Sequence, residues 1–331
     1  MSSPISGSSF VFQDVYIQSV GTTAGIVEHQ GPLGHYFDKH YPNHYHHHAS
    51  YEQAEIEMLK DAILICLKKG KVKKEEIDLY FGGDLNNQIT ACYYYANHLH
   101  RPFIGLYSAC STIGLALANA SIMIENHNIH SAMACTVSHN ATAERQFRYP
   151  VEYGAPKPHT ATFTTTGAVS TLLSKNYSKI RLESATIGVP VDLGVLDANN
   201  MGAAMAPAAA STIATHLATL KRDVNYYDLI LTGDLGCVGS EILKDYLKMV
   251  YNINLKKYFD AGCELYLDSQ PTYAGGSGPA CLPIVLFNKI LLNKKYKKIL
   301  IVATGALHSQ TTVNQHCTIP SIAHAVSLEV E

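Results

Sequence analysis

The chain is 331 residues long, 47% hydrophobic and only 16% charged, a composition that excludes an intrinsically disordered protein. At a soft prior of ~150 residues per domain, it holds about two units or one large duplicated fold. Lys and Arg together number 25 against 27 Asp and Glu, for a net charge of -2, so there is no basic surplus to hold a nucleic-acid backbone.

In chain order, Met1-Ser2-Ser3-Pro4-Ile5-Ser6-Gly7 carries no basic region followed by an apolar core, which argues against a secretory signal. Residues 15–20 alternate as a strand. Residues 40–48 gather His40, His44, His46, His47 and His48 around Pro42 and Asn43. No acidic or cysteine partner stands at ligand spacing, so this tract is read as a solvated loop and not a metal site. Residues 51–69 read as a helix leading into Asp78-Leu79-Tyr80-Phe81-Gly82-Gly83-Asp84-Leu85, an apolar run that ends as a buried strand entering a loop.

Residues 103–120 read as a strand, a tight turn and a helix rich in small residues. Cys110 stands at the start of that helix, where unpaired N–H groups and the helix dipole lower a thiol pKa. The placement suits a nucleophile or an anion site; the alternative is a structural thiol at a helix start. After a strand at 132–137, residues 138–158 form a polar segment holding His139 and Asn140. It also holds two of the chain's five arginines, Arg145 and Arg148, interleaved with Phe147 and Tyr149. Guanidinium groups bind carboxylates in bidentate fashion and aromatic faces suit a planar ligand. Ion pairing to Glu144 and Glu152 in a structural loop is the competing reading.

Ala168-Val169-Ser170 opens the last strand of the first half, and residues 179–185 begin an alternating strand with no Pro/Gly/Ser linker before it. The halves are therefore 1–177 and 178–331. In the second, a helix at 208–220 precedes Asp228-Leu229-Ile230-Leu231-Thr232-Gly233-Asp234-Leu235. Gly275-Gly276-Ser277-Gly278 lacks the Lys-Ser/Thr of a P-loop and the third glycine of a dinucleotide fingerprint. Ala280-Cys281 opens an apolar helical stretch, and strands follow at 299–304 and from Ala325-Val326-Ser327. No apolar run approaches the ~20 residues of a spanning helix: residues 62–67 are short, and Asn288 and Lys289 interrupt residues 281–292. The eight cysteines form no C-x-x-C pair, which argues against a cysteine-built zinc site and predicts buried, reduced thiols.

The second half repeats the first in order. Helix and apolar strand ending in Gly-Asp-Leu, Ala-Cys helix start, strand, and a last strand opening on Ala-Val-Ser all recur, with loop lengths drifting between them. Two copies of one α/β unit, packed as layered sheets with helices between and outside them, account for this order.

A duplicated unit with a cysteine at the strand-to-helix turn of its first half resembles the thiolase fold, a layered α-β-α-β-α architecture. Within it, the sequence resembles the stage V sporulation protein AD family over nearly the whole chain. The resemblance is carried by Thr22-Thr23-Ala24-Gly25, Gly31-Pro32-Leu33-Gly34-His35, Gly83-Asp84-Leu85-Asn86-Asn87-Gln88, Ala109-Cys110-Ser111-Thr112 and Ser138-His139-Asn140-Ala141-Thr142-Ala143-Glu144-Arg145-Gln146-Phe147-Arg148-Tyr149-Pro150. Met205-Ala206-Pro207-Ala208 and Val302-Ala303-Thr304-Gly305-Ala306-Leu307 add to it.

The resemblance implies binding of dipicolinic acid (pyridine-2,6-dicarboxylate), with Ca²⁺ entering alongside the ligand and no other cofactor. It implies uptake of that solute into the developing spore and its release at germination. The place implied is the cytoplasmic face of the developing spore, peripheral on the spore inner membrane, beside small integral-membrane partners. A homodimer is implied by the fold. Thiolase-fold condensing enzymes pair the cysteine with His or Asn from the second half, but here Gly233 and Gly276 stand where those groups are expected. The first hypothesis is therefore a non-catalytic binding protein. Arg145 and Arg148 clamp carboxylates, Cys110, Ser111 and His139 form the pocket wall, and Asn140, Tyr149 and Gly276 lie near. Asp84 and Asp234 face a cation or cap turns, with capping preferred. The alternative is a thiolase-like acyltransferase with Cys110 acylated by a coenzyme A thioester and His139 as base. A third is a scaffold whose pocket is vestigial.

Overall fold

The computed structural model describes residues 7–331; Met1–Ser6, on which the reading of the N-terminus rests, lie outside them. In the first half the strands are β1 (Ser9–Val11), β2 (Tyr16–Ala24), β3 (Lys39–His40), β4 (Leu79–Gly83), β5 (Phe103–Gly105), β6 (Ser131–Ser138), β7 (Phe163–Thr164) and β8 (Gly167–Ser174). Its helices are α1 (Ile26–His29), α2 (Tyr51–Gly70), α3 (Thr90–Leu99), α4 (Thr112–Glu125) and α5 (Asn140–Phe147). The second half holds β9 (Ile180–Ile187), β10 (Leu229–Thr232), β11 (Tyr258–Asp260), β12 (Gly276–Ser277), β13 (Lys298–Ala306) and β14 (Ser321–Val330). Its helices are α6 (Met201–Thr219), α7 (Gly236–Tyr251), α8 (Cys281–Val285), which continues into a π-turn at Leu286–Ile290, and α9 (Gln310–Asn314).

The strand order β11-β10-β13-β14-β9-β2-β8-β6-β4-β5 reads the same from either end. Each half places a central strand (β4 or β10) parallel to both neighbours, then turns antiparallel through β8 or β14. The two sets of five meet where Tyr16 of β2 pairs with Arg181 of β9, and β1 of the first half also pairs antiparallel with β9. The chain is thus two duplicated halves of a thiolase-like fold.

Strands buried on both faces read as continuous apolar runs, and β4 and β10 are buried along their whole length. The inner face of β4 is covered by α4, whose small residues Gly114, Ala116, Ala118 and Ala120 are buried and let it also contact β13 and β14 of the second half. Next to it α8 is buried throughout and packs on β8. On the outer faces α2 lies on β2 and β8, and α6 on β13 and β14. This is an α-β-α-β-α stack.

Helix α6 begins at Met201, ahead of the expected 208. Asn200 caps it by accepting the Ala203 N–H at 3.4 Å, and Pro207 is carried inside. Pro207 is the seventh residue, past the first four whose N–H groups have no intrahelical acceptor, so the helix forgoes one bond to the Ala203 carbonyl there.

The halves are also joined by a buried carboxyl. Glu28 of α1 accepts the Thr166 N–H at 2.9 Å and the Tyr266 hydroxyl at 2.7 Å on Oε1, while its Oε2 has no partner. Burial raises this group to about 7, against the opposing pull of those hydrogen bonds. The folded state thus holds a proton that the unfolded chain releases near its ordinary 4.5. Stability from this site is present at low pH and is lost as pH rises from that value to about 7, by roughly 3 kcal/mol. Glu28→Gln is expected to remove this slope, read from urea unfolding of both proteins at about pH 5 and about pH 8. Equal slopes in the two proteins would refute a neutral Glu28.

Candidate functional site

Cys110 sits in a one-turn elbow, Ala109–Ser111, between β5 and α4. Ala109 takes a left-handed φ of 47°, and the elbow is tied on every side. Ser111 Oγ donates to Ser108 O at 2.6 Å, Thr112 Oγ1 donates to Ala109 O at 2.7 Å, and Ser108 Oγ reaches His324 Nε2 of β14 at 3.0 Å. The second half therefore braces the first-half elbow. Cys110 packs with Leu85, Ala109 and Ala143, with Phe147 and Leu307 alongside.

Its thiol is not activated. Burial pushes the pKa well above 9.0, and the nearby Asp234 carboxyl adds to this; the Gly278 N–H and Arg148 oppose it without prevailing. The expectation of a thiol lowered by the helix start is corrected here: desolvation outweighs the dipole when water is excluded. Asp234 is itself fully buried and raised well above its usual range, by burial first and then by Asp260. Neither of its oxygens meets a donor in hydrogen-bonding geometry, though the Gly278 and Thr304 N–H groups lie near enough to moderate the shift.

Two further buried groups carry unused hydrogen-bonding capacity. Arg148 ends α5 with a side chain only 6% exposed. Its Nη1 donates to Glu144 Oε1 at 2.7 Å, while Nε and Nη2 have no partner. Glu144 is occupied on its other oxygen by Lys157 Nζ at 2.8 Å. His308, just past β13, lies against Phe147 with ring centroids 5.2 Å apart, and neither ring nitrogen has a partner. Burial, and then the charge of Arg148, hold it down at about 4, so it is neutral.

Beside this set lies a cleft of about 460 Å³, walled by Asn86, Tyr107, Phe147, Leu307, His308 and Thr312 among others; of the set, His308 lines it. A larger cleft of about 830 Å³ runs along α6 and residues 250–256, but its walls hold none of these groups.

The other expected site residues separate into two kinds. His139, Asn140 and Asp84 are buried but fully engaged. His139 caps α5 by accepting the Ala141 N–H at Nδ1 (3.1 Å), and its Nε2 donates to His44 O at 2.8 Å. It is neutral, lowered to about 4 mainly by burial, and has no lone pair free to act as a base. Asn140 donates to Thr164 O at 3.2 Å. Asp84 accepts the N–H groups of Asn86 and Cys92 at 2.9 and 2.8 Å, the capping role. Among the described residues no group of three or more His, Cys, Asp or Glu could hold a metal ion.

Arg145 and Tyr149 point away. Arg145 is half exposed and paired with Glu52, and Tyr149 is exposed and lies against Tyr153. The two guanidinium groups thus do not converge: the backbone leaves the helix at Arg148 (φ −134°, ψ −96°), where one is buried and the other half exposed. Ser111 is buried in the elbow, and Gly276 is buried in β12 beside β7. The solvated-loop reading of residues 40–48 holds for Asn43, His44 and His47 but fails for His46, which is buried and stacked on Tyr41 at 3.9 Å. The thiol expectation also needs correction, since Cys237 and Cys317 are exposed.

At Gly233 a Cβ would lie 2.5 Å from the Leu282 Cβ, so no side chain fits without moving α8. Gly233→Ala is expected to cost ~1–3 kcal/mol of stability through overpacking, measured by urea denaturation. A change within about 0.5 kcal/mol would show that the position can be refilled.

His308 and Lys157 escaped the sequence reading. The repeat itself held the signal for His308: β13 stands where β6 stands, so the segment after Ala306 is the counterpart of the segment after Ser138.

Residues 7–329 match the family model of Stage V sporulation protein AD (SpoVAD). The Stage V sporulation protein AD of Bacillus subtilis (strain 168) is 45% identical over 325 residues, covering 97% of this chain and 96% of that protein. Among solved structures, 3-oxoacyl-[acyl-carrier-protein] synthase III of Aquifex aeolicus VF5 superposes with a TM-score of 0.61 at 14% identity, over 95% of this chain and 99% of its own. A variant of OleA from Xanthomonas campestris gives 0.61 at 12% identity, over 96% and 99%. At such identities these two structures speak for the fold alone.

Proposed function

Starting from the chain's membership of the Stage V sporulation protein AD family, we propose that it is a non-catalytic binding protein for dipicolinic acid. The ligand enters as the acid or as its calcium chelate, taken up during sporulation and released at germination. The single observation that carries this reading is Arg148: a buried guanidinium with two N–H donors unspent, adjoining in sequence Phe147 and acting electrostatically on His308, two residues that line the cleft. A buried charge with open donors costs free energy unless an anion completes it. A flat aromatic dicarboxylate supplies both the anion and the ring, and neutral His308 offers a further donor or acceptor.

No helix among the described residues is long and apolar enough to cross a membrane, which accords with a peripheral protein beside integral-membrane partners at the spore inner membrane. The same reading takes the chain as a homodimer and its halves as 1–177 and 178–331.

Titration calorimetry of dipicolinate into the protein, with and without Ca²⁺, tests it. Saturable one-site heat is expected, and no heat at millimolar ligand would end the proposal. The acyltransferase alternative keeps one observation in its favour, the elbow that presents Cys110 before a buried helix. It lacks a base, since His139 has both nitrogens engaged.

A further inference from the structure

Away from the Cys110 cleft, the fold brings two other thiols into contact. Cys237 lies in the first turn of α7 and is exposed, and Cys263 lies in the turn Ala261–Cys263 and is half-buried. One carboxylate oxygen gathers both segments. Asp260 Oδ1 accepts the N–H of Gly236 at 3.0 Å and that of Gly262 at 2.9 Å, the residues immediately before each cysteine. Cys237 N–H donates to Ala274 O at 2.7 Å, which pins the same corner to the Ala274–Gly278 loop. Each thiol lies near enough to shift the titration of the other.

We propose that Cys237 and Cys263 form a redox-active dithiol that closes to an intramolecular disulfide when a peroxide reaches it. Cys237 as thiolate attacks one oxygen of hydrogen peroxide and breaks the O–O bond, giving a sulfenic acid and a hydroxide that leaves as water with the thiol's proton. The Cys263 sulfur then attacks the Cys237 sulfur, forms the S–S bond and expels the hydroxyl, which departs as a second water with the Cys263 proton. Two thiols lose two electrons and the peroxide gains them.

The division of roles follows from the contact. The neighbouring Cys263 lowers the Cys237 pKa and Cys237 raises that of Cys263, so the exposed Cys237 is the attacking thiol and the half-buried Cys263 the resolving one. The bond would staple the start of α7 to the turn that supports the Ala274–Gly278 loop, whose Gly278 N–H faces Cys110. This inference stands independently of any ligand in the cleft.

The test uses the full chain, briefly treated with hydrogen peroxide, blocked with iodoacetamide, and examined by intact mass and non-reducing peptide mapping. The expected result is loss of the mass of two hydrogens and a Cys237–Cys263 cross-linked peptide, reversed by dithiothreitol. Cys237 should be consumed at least about tenfold faster than Cys317, which is also exposed but has no thiol neighbour of this kind. In Cys263→Ser, Cys237 should stop at a sulfenic acid that dimedone traps. Over-oxidation of Cys237 without cross-linking, a Cys237 bond between two chains, or oxidation confined to Cys317 would each overturn the proposal.

Discussion

Arg148→Ala is expected to weaken dipicolinate binding by at least about 30-fold in titration calorimetry, while Arg145→Ala changes it by less than about twofold. Truncating a buried charge partner typically costs 2–5 kcal/mol, and each 1.4 kcal/mol is about a factor of ten. Arg145 is half exposed and already paired to Glu52, so its loss touches only a screened surface ion pair. Removing Arg148 also leaves Glu144 buried with Lys157 as its one remaining cation, so some loss of stability should accompany the loss of binding. Arg148→Lys separates the two effects. A lysine keeps the charge beside Glu144 but lacks the fork of donors, so the protein should stay folded with affinity lowered by about tenfold or more. Unchanged affinity in Arg148→Ala would remove the residue from the site.

Cys110 is expected to stay unmodified. Incubation with several acyl-CoA thioesters at about pH 7, followed by intact mass, should yield no adduct on it, and iodoacetamide should label it at least about tenfold more slowly than Cys317. A thiol at its ordinary 9.0 is only about 1% thiolate at pH 7, and Cys110 lies well above that value because burial and Asp234 both disfavour the anion. Cys110→Ala should accordingly retain dipicolinate affinity within a few fold, since the thiol brings no charge to the ligand. A stable acyl adduct on Cys110 would revive the acyltransferase reading, and with it the search for a base other than His139.

These two residues also show how far the sequence could be read. The duplicated order of elements was legible because buried parallel strands need apolar runs and crossover helices, and both recur at Leu79–Gly83 and Leu229–Thr232. The Cys110 elbow was legible for the same reason: a strand, a turn and a helix of small residues leave few other arrangements. Its electrostatics were not legible. The helix start argued for a lowered thiol, and only the packing of Leu85, Ala143 and Leu307 around it, with Asp234 brought from the second half, reverses the sign.

Arg145 and Arg148 looked equivalent three residues apart, because helical spacing places such residues on one face. The chain leaves helical geometry at Arg148, and that single backbone change buries one guanidinium and exposes the other. His46 illustrates the same limit, since five histidines in a polar tract give no hint which of them turns inward onto Tyr41. His308 could have been found by carrying the repeat one step further.

The most direct test of a dicarboxylate site at Arg148 is a crystal of the full chain soaked in calcium dipicolinate. The structure predicts one ligand carboxylate within hydrogen-bonding distance of Arg148 Nε and Nη2, with the ring lying toward Phe147 and His308. A ligand seated elsewhere, with those two donors still open, would contradict the account.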